Sequence, residues 1–318
     1  MYLDDGLGGG NDLTSALKAS SFIKQSLSDF GFLIAEEKCI WYPCQNLVWI
    51  GLVWDMLEGK IRITDERINR LIDNIEKTLS DVSNGKILYK AKFVAGIVGQ
   101  LISMQAVIGN SVRLRTRELY KCIALRASWK ALVALTAPAV EELRYWTRVV
   151  KDVNEKGNNL HESDLSDFVA YTDASEVGFG GYVVPVNESL CAPVKGDINS
   201  VETDCSLLAP RNSVNTLVGN WSETEQSLSS TWRELEAAHK MIESSVHVLK
   251  NHTVTLKTDN KNVSSIVKNG SKKHNLQMLA CDLYSLCTHN NIKLIPQWVP
   301  RENNKIADSL SRYVDCDD

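Results

Sequence analysis

The chain of 318 residues is long enough for two domains, and with 44% apolar and 23% charged residues it can form a packed core. No apolar run approaches the roughly 20 residues of a membrane-spanning helix, no basic and apolar leader begins the chain, and the eight cysteines form no CxxC pair. We therefore expect an intracellular protein, in the cytoplasm, the nucleus or both, with no membrane partner and no zinc site.

The net charge of −4 conceals an uneven distribution along the chain. Residues 60–151 contain 17 Lys/Arg against 8 Asp/Glu, a net +9, whereas the remainder contains 18 against 31, a net −13. The summed excess favours a polyanionic partner for the middle segment, although a solvated helix face explains any single residue there equally well. The candidate nucleic-acid contacts are Arg113, Arg115, Arg117 and Arg301.

The first half of the chain is predicted to begin with mixed structure and to continue as helices. Asp12 is a suitable N-cap for a helix over residues 12–30. The runs "FLIAEEKCIWYP" and "NLVWIGLVWD" are rich in Ile, Val and Trp, which favours strands. Thr64 then begins a strongly periodic helix, "AKFVAGIVGQLI" predicts a second helix, and Pro138 opens a third.

A polar stretch, "NEKGNNLHESDLSD", predicts a linker over residues 154–165, and an α/β domain follows it. In that domain "FVAYTD" and "GFGGYVV" predict a hairpin, "SLSSTWRELEAAHKMIESSV" a helix, and "HTVTLKTD" and "IKLIPQWV" strands. A short helix ends at "ADSLSR". The segment 187–215 is longer than a hairpin connection, so we expect a mobile surface insertion there.

Four carboxylates of this domain fall at strand ends or on helices that face the sheet: Asp173, Glu234, Asp259 and Asp308. Taken singly, each is more often a cap, a turn residue or a solvated group than a catalytic one. Four such groups cannot share a pocket as bare anions, because like charges raise one another's pKa. Hard oxygen ligands suit Mg²⁺, with Mn²⁺ as a substitute, and two ions about 4 Å apart support phosphodiester hydrolysis.

The segments "YTDASEVGFGGYVV", "STWRELEA", "LKTDN" and "WVPRENNKIADSLSR" resemble, in sequence and in order, the ribonuclease H (RNase H) domain of retrotransposon reverse transcriptases, in particular the DIRS and gypsy-like groups. The resemblance covers residues 166–314 and implies a five-stranded mixed sheet with helices on both faces. It carries over Asp173, Glu234, Asp259 and Asp308 as the catalytic tetrad that binds two Mg²⁺ ions. Where many relatives place a histidine near the last aspartate, this chain has residues 301–303, "REN".

The N-terminal "YLDD" resembles the YxDD hairpin of a reverse transcriptase palm, whose polymerase metal ligands would be Asp4 and Asp5. "FLIAEEKC" resembles the next palm motif, with Lys38 as its lysine, and "LVWIGLVWD" resembles the primer-grip hairpin. The resemblance implies a palm remnant over residues 1–58, a mainly helical thumb or connection region over 59–153 and a tail over 315–318.

Polymerisation requires a third palm aspartate and a nucleotide pocket, which this sequence does not contain upstream of "YLDD". We therefore expect a C-terminal fragment of a retrotransposon polyprotein, without polymerase activity, whose partner is the missing N-terminal polymerase portion.

The leading hypothesis is a metal-dependent endoribonuclease that cuts the RNA strand of an RNA/DNA hybrid and, by the resemblance, leaves a 3′-hydroxyl. The alternative is an inactive or co-opted relic of a retroelement that binds nucleic acid without cutting it. A third hypothesis is another RNase H-like nuclease, such as an integrase or an exonuclease, but "ELEA" followed by "TDN" fits RNase H better.

Overall fold

The computed structural model describes residues 6–160, 165–186 and 209–313. Contacts divide the chain into two compact units, residues 1–109 with 143–162, and residues 110–142 with 163–318. The sequence suggested that residues 110–142 belong to the helical region 59–153, whereas their contacts group them with the C-terminal part of the chain. Among the described residues, no helix combines the length and the apolar character needed to cross a bilayer.

Both units combine helices and strands. Over the described residues the helices are α1 Leu13–Asp29, α2 Asp65–Ser83, α3 Ala91–Ser103, α4 Gln105–Ile108, α5 Ser111–Leu114, α6 Arg117–Ala124, α7 Ala137–Lys156, α8 Glu223–Gln226, α9 Ser230–Ser244, α10 Val246–Leu249, α11 Lys261–Asn269, α12 His274–His289 and α13 Lys305–Ser311. The strands are β1 Asn46–Trp49, β2 Leu52–Asp55, β3 Lys60–Ile63, β4 Leu88–Lys90, β5 Leu132–Ala134, β6 Asn158–Asn159, β7 Phe168–Ala174, β8 Gly178–Pro185, β9 Asn215–Asn220, β10 Thr253–Thr258 and β11 Lys293–Trp298. Short 3₁₀ helices are formed by Glu36–Lys38 and Arg301–Asn303.

The first unit contains an antiparallel sheet in the order β1-β2-β3-β6. The hairpin predicted from "NLVWIGLVWD" is β1 and β2, and its turn residues Ile50 and Gly51 both have positive φ, as a two-residue hairpin turn requires. The Asn154 side chain ties α7 to β3, because its Oδ1 accepts from the Ile63 amide at 2.6 Å and its Nδ2 donates to the Ile63 carbonyl at 3.0 Å. Of the predicted linker, residues 154–156 belong to α7 and residues 158–159 to β6.

The N-terminal residues agree only partly with the sequence-based expectations. Asp12 caps α1 as predicted, and its carboxylate accepts from the Ser15 amide at 2.8 Å. Within the described part of the chain, however, α1 buries none of its residues, and Phe30 is 81% exposed. The strand predicted for "FLIAEEKCIWYP" is wrong: the chain forms only a 3₁₀ turn there, in which Lys38 is exposed. The predicted polymerase residues Asp4 and Asp5 lie outside the described residues.

The second unit contains the predicted five-stranded mixed sheet, in the order β11-β10-β7-β8-β9. β7, β8 and β9 are antiparallel neighbours, whereas β10 is parallel to both β7 and β11. The RNase H-like fold implied by the sequence resemblance is therefore confirmed. β9 was missed as a strand because "NTLVGN" has only two large apolar residues, and residues 187–208 of the predicted insertion lie outside the described residues.

Helices cover both faces of this sheet. On one face Ala170 and Val183 pack with Met241 of α9, against which α12 also packs. On the other face Tyr182 packs with Leu310 of α13. The alternation of side chains along β7 and β8 places neighbouring residues on opposite faces, so each strand contributes to both layers.

Two glycines of β8 allow α13 to approach the sheet closely. A Cβ at Gly180 would lie 2.4 Å from the backbone of Leu310 and Ser311, and one at Gly178 would lie 3.1 Å from the Ser311 carbonyl oxygen. Backbone atoms cannot rotate away as a flexible side chain can, so a larger residue at Gly180 has to displace the helix. Gly180 pairs directly with Asp173 of β7, so this approach brings the end of α13 next to that carboxylate.

A buried carboxylate caps α6 in the second unit. The two oxygens of Glu142 accept hydrogen bonds from the backbone amides of Glu118 and Leu119, each at 2.9 Å. Burial nevertheless raises the pKa of Glu142 to about 7, and the amide hydrogen bonds only partly oppose this effect.

We predict that Gly180→Ala lowers the free energy of unfolding by roughly 1–3 kcal/mol, because the new methyl group overlaps the α13 backbone. Urea denaturation measures the change. The matched control is Gly96→Ala in α3, where a Cβ meets nothing within 4 Å and the helix should gain up to about 1 kcal/mol. Equal effects of the two substitutions would contradict the close approach at Gly180.

We predict that Glu142→Gln flattens the pH dependence of stability between about pH 4.5 and 7. The folded-state pKa is raised, so the contribution of Glu142 is fully present below its unfolded pKa of 4.5 and is lost as the pH rises through about 7. Over this pH range the free energy of unfolding of the wild-type protein should therefore fall by roughly 2–3 kcal/mol more than that of the variant. Urea denaturation at pH 5 and pH 8 measures the change, and Glu243→Gln, at an exposed position, is the control. If Glu142 were ionised at both pH values, the free energy of unfolding of wild type and Glu142→Gln would change equally with pH.

Candidate active site

Three of the predicted carboxylates come together at one end of the sheet. Asp173 lies in β7 and Asp259 directly follows β10. The two strands are parallel, and Tyr171 pairs with Lys257. Each aspartate lies two residues beyond its member of this pair, so both lie where the carboxyl ends of the two strands meet. Glu234 projects from the second turn of α9, which packs on β7 and whose N-cap Ser229 accepts from the Trp232 amide.

One carboxylate oxygen from each of Asp173, Glu234 and Asp259 lies within 4.8 Å of the others. We call these three residues the acidic triad. Asp173 and Glu234 are buried, with 4% and 8% of their surface exposed, and Asp259 is half-buried. Three acceptor groups therefore lie close together, and Asp259 is the most exposed of them.

Burial raises the pKa of every member of the triad, and the charge of neighbouring carboxylates adds to this effect. For Asp173 burial raises the pKa to about 6, a hydrogen bond from Ser311 lowers it, and the charges of Asp259 and Asp308 raise it further. Burial also raises the pKa of Glu234 well above its usual range, and the charge of Asp173 is the next largest cause of this rise. For Asp259 burial raises the pKa and Arg301 opposes the shift. Bare anions are thus strongly disfavoured at this site.

The triad fits a hard divalent cation. The Oε2 atom of Glu234 is buried and has no hydrogen-bond partner among the described residues, which is costly unless another group binds it. The donor set consists only of carboxylate oxygens, which Mg²⁺ and Mn²⁺ prefer over sulfur or nitrogen ligands. A cation among these oxygens would satisfy the orphaned acceptor and remove the repulsion that raises the pKa values.

Two residues that the sequence did not identify hold the triad in place. The Ser311 hydroxyl, fully buried at the end of α13, donates to Asp173 Oδ2 at 2.7 Å. The Trp298 indole Nε1 donates to the Asp259 carbonyl at 2.9 Å. Ser311 belongs to the "ADSLSR" motif, so its position near Asp308 was a usable signal, whereas no pattern in "IKLIPQWV" marks Trp298.

Asp308, the fourth predicted ligand, is held next to the triad but by different partners. Its Oδ1 accepts from Arg301 at 2.6 Å and from Arg312 at 3.0 Å, and its Oδ2 accepts from Arg312 Nε at 3.1 Å. Arg312, followed by Arg301, lowers the pKa of Asp308. Among the described residues, the oxygens of Asp308 do not belong to the group of carboxylate oxygens that lie within 4.8 Å of one another. The charge of Asp308 nevertheless raises the pKa of Asp173 and Asp259.

The three predicted nucleic-acid contacts of the basic segment have partners within the second unit. Arg113 donates to the Asn269 side chain at 3.3 Å, and Arg115 donates to the Ser285 hydroxyl at 2.8 Å. Arg117 donates to the Ser271 carbonyl at 3.3 Å. These contacts attach residues 110–117 to α11, α12 and the loop between them, so a role in nucleic-acid binding remains a prediction for all three.

An open cavity of about 300 Å³ lies beside Asp308 and is lined by Arg301, Glu302, Lys305 and Asp308. Arg301 and Lys305 are both exposed. Of these two cations, Arg301 lies close enough to lower the pKa of all three triad carboxylates.

Comparison with known proteins relates the C-terminal part of the chain to one family. A family model described as reverse transcriptase-like matches residues 217–314, which include Glu234, Asp259 and Asp308. The match covers less than half of the chain and does not extend to Asp173. No curated protein matches the sequence.

Several solved structures are similar to this chain at low identity. The N-terminal RNase H domain of a Mycobacterium tuberculosis protein, fused to maltose-binding protein, is 16% identical over 46% of this chain and 91% of that chain, with a TM-score of 0.34. RNase H1 from the archaeon Halobacterium salinarum is 16% identical over 45% and 92%, with a TM-score of 0.33. A foamy viral protease-reverse transcriptase in complex with RNA/DNA hybrid is 15% identical over 91% of this chain, which spans only 34% of that chain, with a TM-score of 0.38.

We predict that Asp173→Asn raises the stability of the metal-free protein at pH 7 by roughly 1–3 kcal/mol. The folded-state pKa of Asp173 is raised, so its contribution to stability is present below pH 3.8 and is lost as the pH rises through about 6. The gain should therefore disappear towards pH 4. Thermal or urea unfolding in EDTA measures it.

The same variant should lose the stabilisation that Mg²⁺ gives the wild-type protein, because a ligand that binds only the folded state stabilises it. The matched control is Asp282→Asn at an exposed position of α12, which should change neither property. Equal Mg²⁺ stabilisation of wild type and Asp173→Asn would contradict a metal site at the triad.

Proposed function

We propose that this chain is a metal-dependent endoribonuclease that cuts the RNA strand of an RNA/DNA hybrid. The convergence of Asp173, Glu234 and Asp259 at the edge of an RNase H-like sheet is the observation that carries the proposal. The match of residues 217–314 to a reverse transcriptase-like family model supports it.

Asp173, Glu234 and Asp259 would hold Mg²⁺, with Asp308 as a fourth carboxylate. When bound, such ions lower the pKa of a water molecule and stabilise the leaving oxygen of a phosphodiester. The protein's own groups provide orientation: Ser311 fixes the Asp173 carboxylate, and Trp298 fixes the backbone that carries Asp259. Burial of Glu234 keeps bulk water away from one side of the site.

Preference for the hybrid would arise from its shape and from the 2′-hydroxyl groups of the RNA strand more than from base contacts. The exposed cations of the cavity beside Asp308, Arg301 and Lys305, would contact the substrate backbone. The excess of Lys and Arg in residues 60–151 would add a sequence-independent attraction to phosphate.

We further propose that the first unit derives from a retrotransposon reverse transcriptase and packs against the polymerase portion of the same polyprotein. The hairpin of β1 and β2 and the exposed apolar side chains of α1 and the residue that follows it, such as Phe22 and Phe30, support this proposal. An apolar surface of this kind is usually covered by a protein partner.

We predict that purified protein cleaves the RNA strand of a labelled hybrid in Mg²⁺ and not in EDTA, and that Asp173→Asn and Glu234→Gln each reduce the rate by several orders of magnitude. Gel electrophoresis of end-labelled RNA measures the rate and reports the product ends. Asp282→Asn, an exposed carboxylate substitution of the same size, should retain wild-type activity. Cleavage that persists in both triad variants would rule out this site.

A nucleic-acid-binding relic without cleavage is the second candidate, and the partners of Asp308 favour it, because two arginines occupy a carboxylate that the reaction is expected to use. Hybrid binding in EDTA without turnover in Mg²⁺ would support this alternative. Comparing hybrid, duplex DNA and single strands as substrates separates RNase H activity from that of an RNase H-like integrase or exonuclease.

A further inference from the structure

The two arginines that bind Asp308 use their hydrogen-bond donors differently. Arg312 donates to both carboxylate oxygens, through Nε at 3.1 Å and through a terminal nitrogen at 3.0 Å, so the fork of its guanidinium group is occupied. Arg301 donates to Asp308 through one terminal nitrogen at 2.6 Å, and its side chain is 64% exposed. Both side chains are exposed, Arg312 at 55%, but Arg301 holds Asp308 through a single hydrogen bond whereas Arg312 forms a bidentate pair, so Arg301 exchanges its partner more easily.

Arg301 lines the open cavity beside Asp308, together with the carboxylates of Glu302 and Asp308. Lys305 lines the same cavity, is exposed, and has no hydrogen bond or ion pair through its Nζ among the described residues. Carboxylates next to these cations repel a polyanion, so a phosphate group that approaches the triad needs cationic partners at its rim. A guanidinium fork with a nearby ammonium group is well suited to phosphate.

We propose that Arg301 exchanges its ion pair with Asp308 for a phosphate of the nucleic-acid backbone, with Lys305 as a second cation, while Arg312 keeps hold of Asp308. This inference rests on the proposed hybrid substrate. The exchange reduces the number of arginines on Asp308 from two to one only when a backbone is in place. Arg301 is thus a positioning residue that links substrate binding to the release of a carboxylate beside the triad.

Binding of a fluorescently labelled RNA/DNA hybrid in EDTA, followed by anisotropy over a range of salt concentrations, tests the exchange without any cleavage. Arg301→Gln should weaken binding severalfold and reduce the slope of log K against log salt by about one, as expected for the loss of one phosphate contact. Arg312→Gln is the matched control, because it removes the other partner of Asp308 and should leave the slope unchanged.

Asp308→Asn provides the second arm, because it frees Arg301 without removing it. Binding in EDTA should become severalfold tighter, and this gain should vanish in the double variant Asp308→Asn/Arg301→Gln. A gain that persists in the double variant would be a general charge effect and would overturn the exchange. Equal salt slopes for Arg301→Gln and Arg312→Gln would also overturn it.

The outcomes for the exchange and for the nuclease are separable. If the wild-type protein binds hybrid and the Arg301 variants behave as expected, but Mg²⁺ supports no cleavage, the nuclease proposal fails and the exchange stands. If cleavage occurs and the salt slopes are equal, the nuclease stands and the exchange fails. Absence of hybrid binding by the wild-type protein would overturn both.

Discussion

The close approach of α13 to β8 is the constraint on which the candidate site depends. Gly180 lies opposite Asp173 in the sheet, and a Cβ there would meet the backbone of α13 at 2.4 Å. Because Gly180 has no side chain, the Ser311 hydroxyl reaches Asp173 and the Asp308 carboxylate lies close enough to influence the triad. The packing of Tyr182 and Leu310 holds the helix in this position, so the apolar layer beneath α13 also orients the end of the sheet that carries the acidic triad.

A second consequence of this packing is electrostatic. Asp173 and Glu234 are buried beside Asp259, so the metal-free protein carries groups whose ionisation is opposed by burial and by one another. Sites of this kind commonly reduce stability in exchange for function. Ser311 and the arginines around Asp308 compensate only in part, because Glu234 Oε2 still has no partner among the described residues.

Local patterns predicted most of the elements that position the site. The capping of α1 by Asp12, the hairpin of β7 and β8, and helix α9 around Glu234 follow from caps, alternation and periodicity within each segment. β9 was missed because its residues are held by pairing with β8 and by contact with Phe179, not by a local pattern. The opposite error occurred at "FLIAEEKCIWYP", whose composition favours a strand but which has no partner strand among the described residues.

Residue type and motif order predicted Asp173, Glu234, Asp259 and Asp308 as one group, and the structure brings the oxygens of the first three together. The catalytic role of these residues stays a prediction. The sequence did not identify the groups that donate hydrogen bonds to these carboxylates and to the Asp259 carbonyl. The packing of the second unit brings those groups close. The roles of Ser311 and Trp298, and the two arginines on Asp308, join residues far apart in the chain or on different elements. Side-chain partners of this kind depend on how closely helices and strands pack, and a pattern within one segment does not contain that distance.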